Sequence, residues 1–165
     1  MWESQLGMIQ VQNLTKAFHP DQPPAVNQVT FTLNKGEVGC LIGTSGSGKT
    51  TTLKMINRLI EPTAGKIWVN GSCHSNSKAI AWRRGIGYVV QKAGLLPHLT
   101  VSENISLLPD ILKRDRKSTQ TKVEELLEMV NLPLSEYGAR YPAELSGGQQ
   151  QRVGIARALV EDPPV

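Results

Sequence analysis

The sequence predicts a mixed α/β fold: a core built round a glycine-rich loop, an antiparallel β portion at its front, and a helical subdomain after it. Three observations predict this. Gly43-Thr44-Ser45-Gly46-Ser47-Gly48-Lys49-Thr50 fits the pattern G-x-x-x-x-G-K-S/T and lies between an apolar run and a helical stretch. Val29-Thr30-Phe31-Thr32-Leu33 alternates apolar and polar, as a half-buried strand does. Val123, Leu126, Leu127 and Val130 recur at i, i+3, i+4 and i+7, the stripe of an amphipathic helix.

Met8 to Phe18 reads as a strand with Ile9, Val11 and Leu14 inward, and His19 to Pro24 as a loop rich in turn formers. Asn34-Lys35-Gly36-Glu37 turns the chain into Val38-Gly39-Cys40-Leu41-Ile42, whose unbroken apolar character predicts a buried parallel strand. The helix after the loop carries Leu53, Ile56 and Ile60 on its apolar side and ends near Glu61 to Gly65. Lys66 to Gly71 reads as a strand closed by Asn-Gly, Ser72 to Lys78 as a polar stretch, and Gly87 to Gln91 as a short buried strand. Thr100 and Glu103 form a capping box ahead of Ile105, Leu107 and Leu108. A last helix opens at Ser146 with Val153, Ala156, Leu159 and Val160 on one side, and Pro163-Pro164 ends it. The expected organisation is one domain, with residues 1–94 as β and loop core, 95–145 helical, and 146–165 the final helix.

The chemistry of the loop follows from its residues. Glycines leave backbone N–H groups free to curl round an anion, and the helix N-terminus adds about half a positive charge. Lys49 would reach the β- and γ-phosphates, and the Thr50 hydroxyl would ligate Mg²⁺. Gly43, Thr44, Ser45, Gly46, Ser47, Gly48 and Thr51 complete the predicted cradle. A turn that binds nothing is the alternative.

Composition narrows the partners. The chain has 165 residues and a net charge of +4, which suits polyphosphate ligands but is too weak and scattered to argue for nucleic acid. Lys113-Arg114-Asp115-Arg116-Lys117 reads as a solvated helix end. Cys40 and Cys73 do not make a disulfide framework, and Cys73-His74 has no further Cys or His at metal-ligand spacing. The first residues lack the basic-then-apolar pattern of a secretory signal, and no run approaches 18 apolar residues. The expectation is a cytoplasmic protein whose membrane association comes through partners.

The last helix carries the second informative pattern. Ser146 and Gln149 fit the capping box S-x-x-Q, yet Gly147 and Gly148 stand in the first turn, where glycine costs about 1 kcal/mol relative to alanine. Either a ligand comes close to bare backbone there, or the segment is a plain helix cap.

Leu145-Ser146-Gly147-Gly148-Gln149, continuing through Gln150-Gln151-Arg152 to Leu159, resembles the signature motif of the ATP-binding cassette family. The resemblance covers nearly the whole chain. It implies a P-loop NTPase core, and two ATP molecules sandwiched head to tail between this subunit and a second ATP-binding subunit. Ser146, Gly147, Gly148 and Gln149 would complete the partner's site. Phe18 would stack on adenine, and Gln91 would touch Mg²⁺ and the attacking water and link the site to transmembrane permease subunits. Gly94 to Val101 follows Gln91 as the family pattern expects, and Leu95, Leu96 and Leu99 would receive a coupling helix. Without the resemblance, Phe18 is a strand-end core residue and Gln91 a loop glutamine. Met55 to Pro62 and Ile86 to Gln91 are similar to importers of glycine betaine, proline, choline and related osmoprotectants. The ATPase would meet a solute-binding protein only indirectly, working on the inner face of the plasma membrane.

In the resembling proteins an apolar strand ending in Asp-Glu follows the last helix, then an aspartate loop and a histidine switch. The present sequence stops at Val165, so the fold is expected to be incomplete at the C-terminus. Whether the chain is an enzyme is left open, since the Asp that holds metal and the Glu that orients water have no counterpart in it. That strand would lie mid-sheet, which predicts a marginally stable piece. Two other functions stand beside ATP binding for transport: a catalytically dead remnant that docks on partners, and another P-loop NTPase or kinase.

Overall fold

The computed structural model describes residues 8–91 and 93–165; residues 1–7, read above for a leader, lie outside them. The chain divides into two compact units, one holding the residues up to Ile86 together with Pro164 and Val165, the other Gly87–Pro163.

The first unit is built on an antiparallel sheet of four strands, in the order β2-β1-β3-β4 among the described residues. Strand β1 (Ile9–Lys16) pairs with β2 (Val26–Leu33) and β3 (Ala64–Val69), and β3 pairs with the short β4 (Ser72–Cys73). Val29, Phe31 and Leu33 are half-buried while Thr30 and Thr32 are exposed, as the alternation predicts. Val11 and Leu14 are both fully buried although three positions apart. Asn13, with φ of 47°, sits where the register shifts between them, and the extra residue brings Leu14 back to the inner face. The Asn70-Gly71 turn has positive φ at both residues, the form that tight hairpins favour. Helix α1 (Lys49–Ile56) covers the sheet with Met55 and Ile56, joined in the core by Ile67, Val69 and Trp82 of α2 (Ala79–Arg84).

Four expectations need correction here. Val38–Ile42 is not a strand: no ladder partner lies beside it among the described residues, and Val38 and Ile42 are 96% and 91% exposed, with Cys40 exposed as well. A parallel strand exists only through its neighbours, and apolar character cannot supply them. Gly87–Gln91, in the second unit, is unpaired for the same reason. Of the expected stripe Ile56 is buried and Ile60 packs at the margin of the core, but Leu53 is 48% exposed, and Thr52 and Met55 are buried in its place because the sheet takes a side slightly rotated from the expected one. The helix also ends earlier, at Ile56, where Arg58 adopts a φ of 53°.

The second unit is helical. Helix α3 (Val101–Ile111) opens with the expected Thr100–Glu103 capping box, and α4 (Arg116–Met129) is capped by Asp115 within the basic run. A single turn, α5 (Leu134–Tyr137), leads to α6 (Gly147–Leu159). Val123, Leu126, Leu127 and Val130 pack with Val101, Ile105, Val153, Ala156 and Val160 in one core, with Leu108 and Leu159 at its margin. Asn104, fully buried inside it, donates to the carbonyls of Leu96, Leu99 and Thr100 and accepts from the Leu96 amide. These bonds fix the loop ahead of α3.

Candidate functional site

The glycine loop is positioned by the start of β2. Gly48 has a φ of 87°, and a Cβ there would lie 2.3 Å from the Ala25 carbonyl oxygen. Only glycine allows this approach. The turn closes with the Ser47 amide donating to the Thr44 carbonyl at 3.3 Å. Lys49 Nζ then donates to the carbonyls of Gly43 and Thr44 at 2.8 and 2.7 Å and to Ser47 Oγ at 3.2 Å. The ammonium thus rests inside the curl of its own loop.

The start of α1 is open as well. Helices α3, α4 and α6 each begin with a side-chain oxygen accepting from a first-turn amide; α1, like the shorter α2 and α5, has no side-chain cap among the described residues, and it alone of these three follows a glycine loop, with Gly48 at its N-cap. Its first-turn N–H groups are left to solvent or an anion. Ala25, Gly46, Ser47, Gly48, Lys49, Thr50 and Thr51 line a cavity of about 220 Å³ there; of the loop residues singled out by the sequence, Gly46 to Thr51 converge on it, and Gly43, Thr44 and Ser45 are not in its lining. Thr50 is exposed at its wall, where a hydroxyl could meet a hydrated Mg²⁺. The donor set therefore fits a magnesium–polyphosphate.

Phe18 lies just past β1 and is 56% exposed, not the core residue a strand end suggests. Lys16 Nζ stands 5.3 Å from the centroid of its ring. Lys16 pairs with Val26, the neighbour of the cavity-lining Ala25, so Phe18 lies past the same end of the sheet as the cavity.

In the second unit Ser146 caps α6: its Oγ accepts from the Gln149 amide at 3.3 Å, and Gln149 Oε1 accepts from the Ser146 amide at 2.8 Å. The plain-cap geometry is thus present. Yet a Cβ at Gly147 or Gly148 would meet nothing within 4 Å among the described residues, so packing within the chain gives no reason for glycine at either place. Gln91 is exposed. The segment around it is held by α6, because Gln151 Nε2 donates to the Val90 carbonyl at 3.3 Å and Arg157 donates to the carbonyls of Ala93 and Gly94 at 2.7 and 2.9 Å. Sequence reasoning missed Ala25 and Lys16, and it placed Gln151 and Arg157 in the signature stretch without the contacts they make. Those contacts run to backbone far along the chain, which no local pattern states.

A self-curled glycine loop before an uncapped helix, set on an antiparallel sheet, with a glycine-opened helix in a helical unit, defines a nucleotide-binding cassette of the P-loop class. The chain belongs to the ABC transporter family, whose model matches residues 26–165. It is 49% identical to the choline transport ATP-binding protein OpuBA of Bacillus subtilis (strain 168) over 158 residues, 96% of this chain and 41% of that protein. It is likewise 49% identical to the osmoprotectant import ATP-binding protein OsmV of Salmonella typhimurium over 161 residues, 96% of this chain and 42% of that one. The chain therefore spans well under half the length of these relatives. Among solved structures it is similar to the dimeric bacterial ABC transporter cassette MJ0796, with a TM-score of 0.83 and 35% identity over 94% of this chain and 71% of that one. The same cassette bound to ADP and phosphate gives a TM-score of 0.82 at 34% identity, with the same 94% and 71% coverage. Among the described residues no helix is long and apolar enough to cross a membrane.

Proposed function

We propose that this chain forms the N-terminal part of the ATP-binding subunit of an importer for quaternary-amine osmoprotectants such as glycine betaine. The observation that carries the reading is the uncapped N-terminus of α1 behind the Gly43–Thr50 loop. Lys49 exchanges its loop carbonyls for the β- and γ-phosphates, and the amides of the loop and first turn take the remaining charge. Phe18 stacks on the adenine. Mg²⁺, when bound, would neutralise phosphate charge, and the Thr50 hydroxyl would hold it; for Gln91 a role toward the metal and the attacking water rests on the family resemblance alone. Ser146, Gly147, Gly148 and Gln149 face the triphosphate held by a second subunit, which explains two glycines that no packing among the described residues requires.

The solute class rests on the relatives, whose names include choline transport and osmoprotectant import. Permease subunits, the second ATPase and a place on the inner face of the plasma membrane follow from the same reading. Family membership sets aside the kinase and GTPase alternatives. Hydrolysis would draw on an aspartate and a glutamate that no motif in this chain supplies. A remnant that docks without turnover is the second reading, favoured by the exposure of Val38 and Ile42.

Calorimetric titration with Mg-ATP tests the first reading. Binding to the chain that is lost in Lys49→Ala supports it, and the same isotherm from both proteins overturns it. An ATPase assay beside a chain extended past Val165 separates the readings: turnover confined to the longer chain fits an incomplete ATPase, and none in either fits the remnant.

A further inference from the structure

The exposed ring of Phe18 is held in an unusual way for a surface aromatic. Lys16 Nζ stands 5.3 Å from its centroid and at the same time donates to the Glu61 carbonyl at 2.9 Å. Glu61 is itself tied down, its carboxylate bonding Arg58 Nε at 2.8 Å and Nε2 of the buried His74 at 2.9 Å. Two residues on, Thr63 Oγ1 accepts from the Ala17 amide at 3.0 Å and lies 3.2 Å from the Ala17 carbonyl, and the Thr63 amide donates to the Thr15 carbonyl at 2.9 Å. The 61–63 segment thus straps the backbone on either side of Lys16. A lysine ammonium free in water is held over a ring only weakly; one also anchored to a fixed carbonyl is kept there.

We infer that Lys16 is a positioning residue for the base: anchored on the Glu61 carbonyl, it occupies one face of Phe18, fixes the ring, and leaves the opposite face to the purine. The ammonium is attracted by the negative face of the ring and draws its π density toward itself, which leaves the far face better suited to an electron-rich purine. Lys16, the last residue of β1, pairs with Val26, the first of β2 and next to the Ala25 that walls the phosphate cavity, so a base on Phe18 and phosphates on α1 lie at one end of the sheet. The inference rests on the nucleotide-binding reading above and adds to it a residue that touches neither base nor phosphate.

The test compares ATP with inorganic tripolyphosphate, which has the phosphates and no base. In the full chain, Lys16→Met should lower the ratio of ATP affinity to tripolyphosphate affinity about two- to fivefold, the range an exposed cation–π contact supports. Lys16→Arg should restore the ratio, and in a Phe18→Leu background Lys16→Met should leave it where Phe18→Leu alone put it. An unchanged ratio in Lys16→Met overturns the inference, as does an equal weakening of both ligands, which would mean that Lys16 supports the fold and not the ring. Failure of the unsubstituted chain to bind either ligand would overturn the nucleotide reading itself, a separate result.

Discussion

Gly48 and Ala25 meet so closely that a single methyl group on Gly48 would stand 2.3 Å from the Ala25 carbonyl oxygen. The same glycine holds a φ of 87°, which other residues adopt at a cost of about 1–3 kcal/mol. Gly48→Ala should therefore lower the melting temperature and abolish Mg-ATP binding together, because the loop must leave β2 to relieve the clash. Calorimetry and thermal denaturation on the one variant check both. Retained binding at full stability would mean that the loop has room it does not show.

Gly147 and Gly148 present the opposite case. Nothing among the described residues lies within 4 Å of a Cβ at either position, so alanine should fit and should stabilise α6 by up to about 1 kcal/mol. In the proposed function the same substitutions block the approach of a second subunit's nucleotide. The expected outcome is a higher melting temperature with weaker ATP-dependent dimerisation, read by sedimentation. A drop in stability would show that the glycines serve the chain's own packing.

The bare segment Val38–Ile42 should behave like surface. Ile42 is 91% exposed and Leu127 is fully buried among the second unit's helices. In this chain Ile42→Ser should change stability by no more than about 0.5 kcal/mol, whereas Leu127→Ala should cost about 2–5 kcal/mol. Urea unfolding of both variants distinguishes them. A large loss in Ile42→Ser would indicate that the segment finds a partner in solution.

Acid should loosen the strap beneath Phe18. The hydrogen bond from Arg58 is the main reason the Glu61 carboxyl stays below its ordinary value of 4.5; burial opposes this, and the bond to His74 adds to it. A carboxyl lowered in the folded state stabilises fully above its unfolded value and loses that contribution as pH falls through the lowered one. Since the Glu61 side chain is 60% exposed, the effect should be under about 1 kcal/mol. Glu61→Gln should melt below the unsubstituted chain at neutral pH, and the gap should close well below pH 4.5. A gap that persists in acid would exclude the carboxylate as its cause.

Features that depend on near neighbours along the chain are legible in the sequence. The capping boxes at Thr100–Glu103 and Ser146–Gln149 form as their spacing requires, because a cap satisfies amides three residues away. The α4 stripe is buried at Val123, Leu126, Leu127 and Val130, because one helix face recurs with fixed period. The site is legible as a loop from Gly43 to Thr51, but the contacts that hold Phe18 and Gln91 are not. Lys16 meets Glu61 across 45 positions and Arg157 meets Ala93 across 64, and no local spacing announces either pairing.

By itself, then, the sequence determined what a stretch could do with its own backbone: curl round an anion, cap a helix, present a stripe. Tertiary structure decided whether Val38–Ile42 and Gly87–Gln91 were strands, and which side of α1 was buried. A helix closes its hydrogen bonds within four residues, while a strand must borrow its bonds from a neighbour, and no local pattern of apolar side chains states whether that neighbour is there.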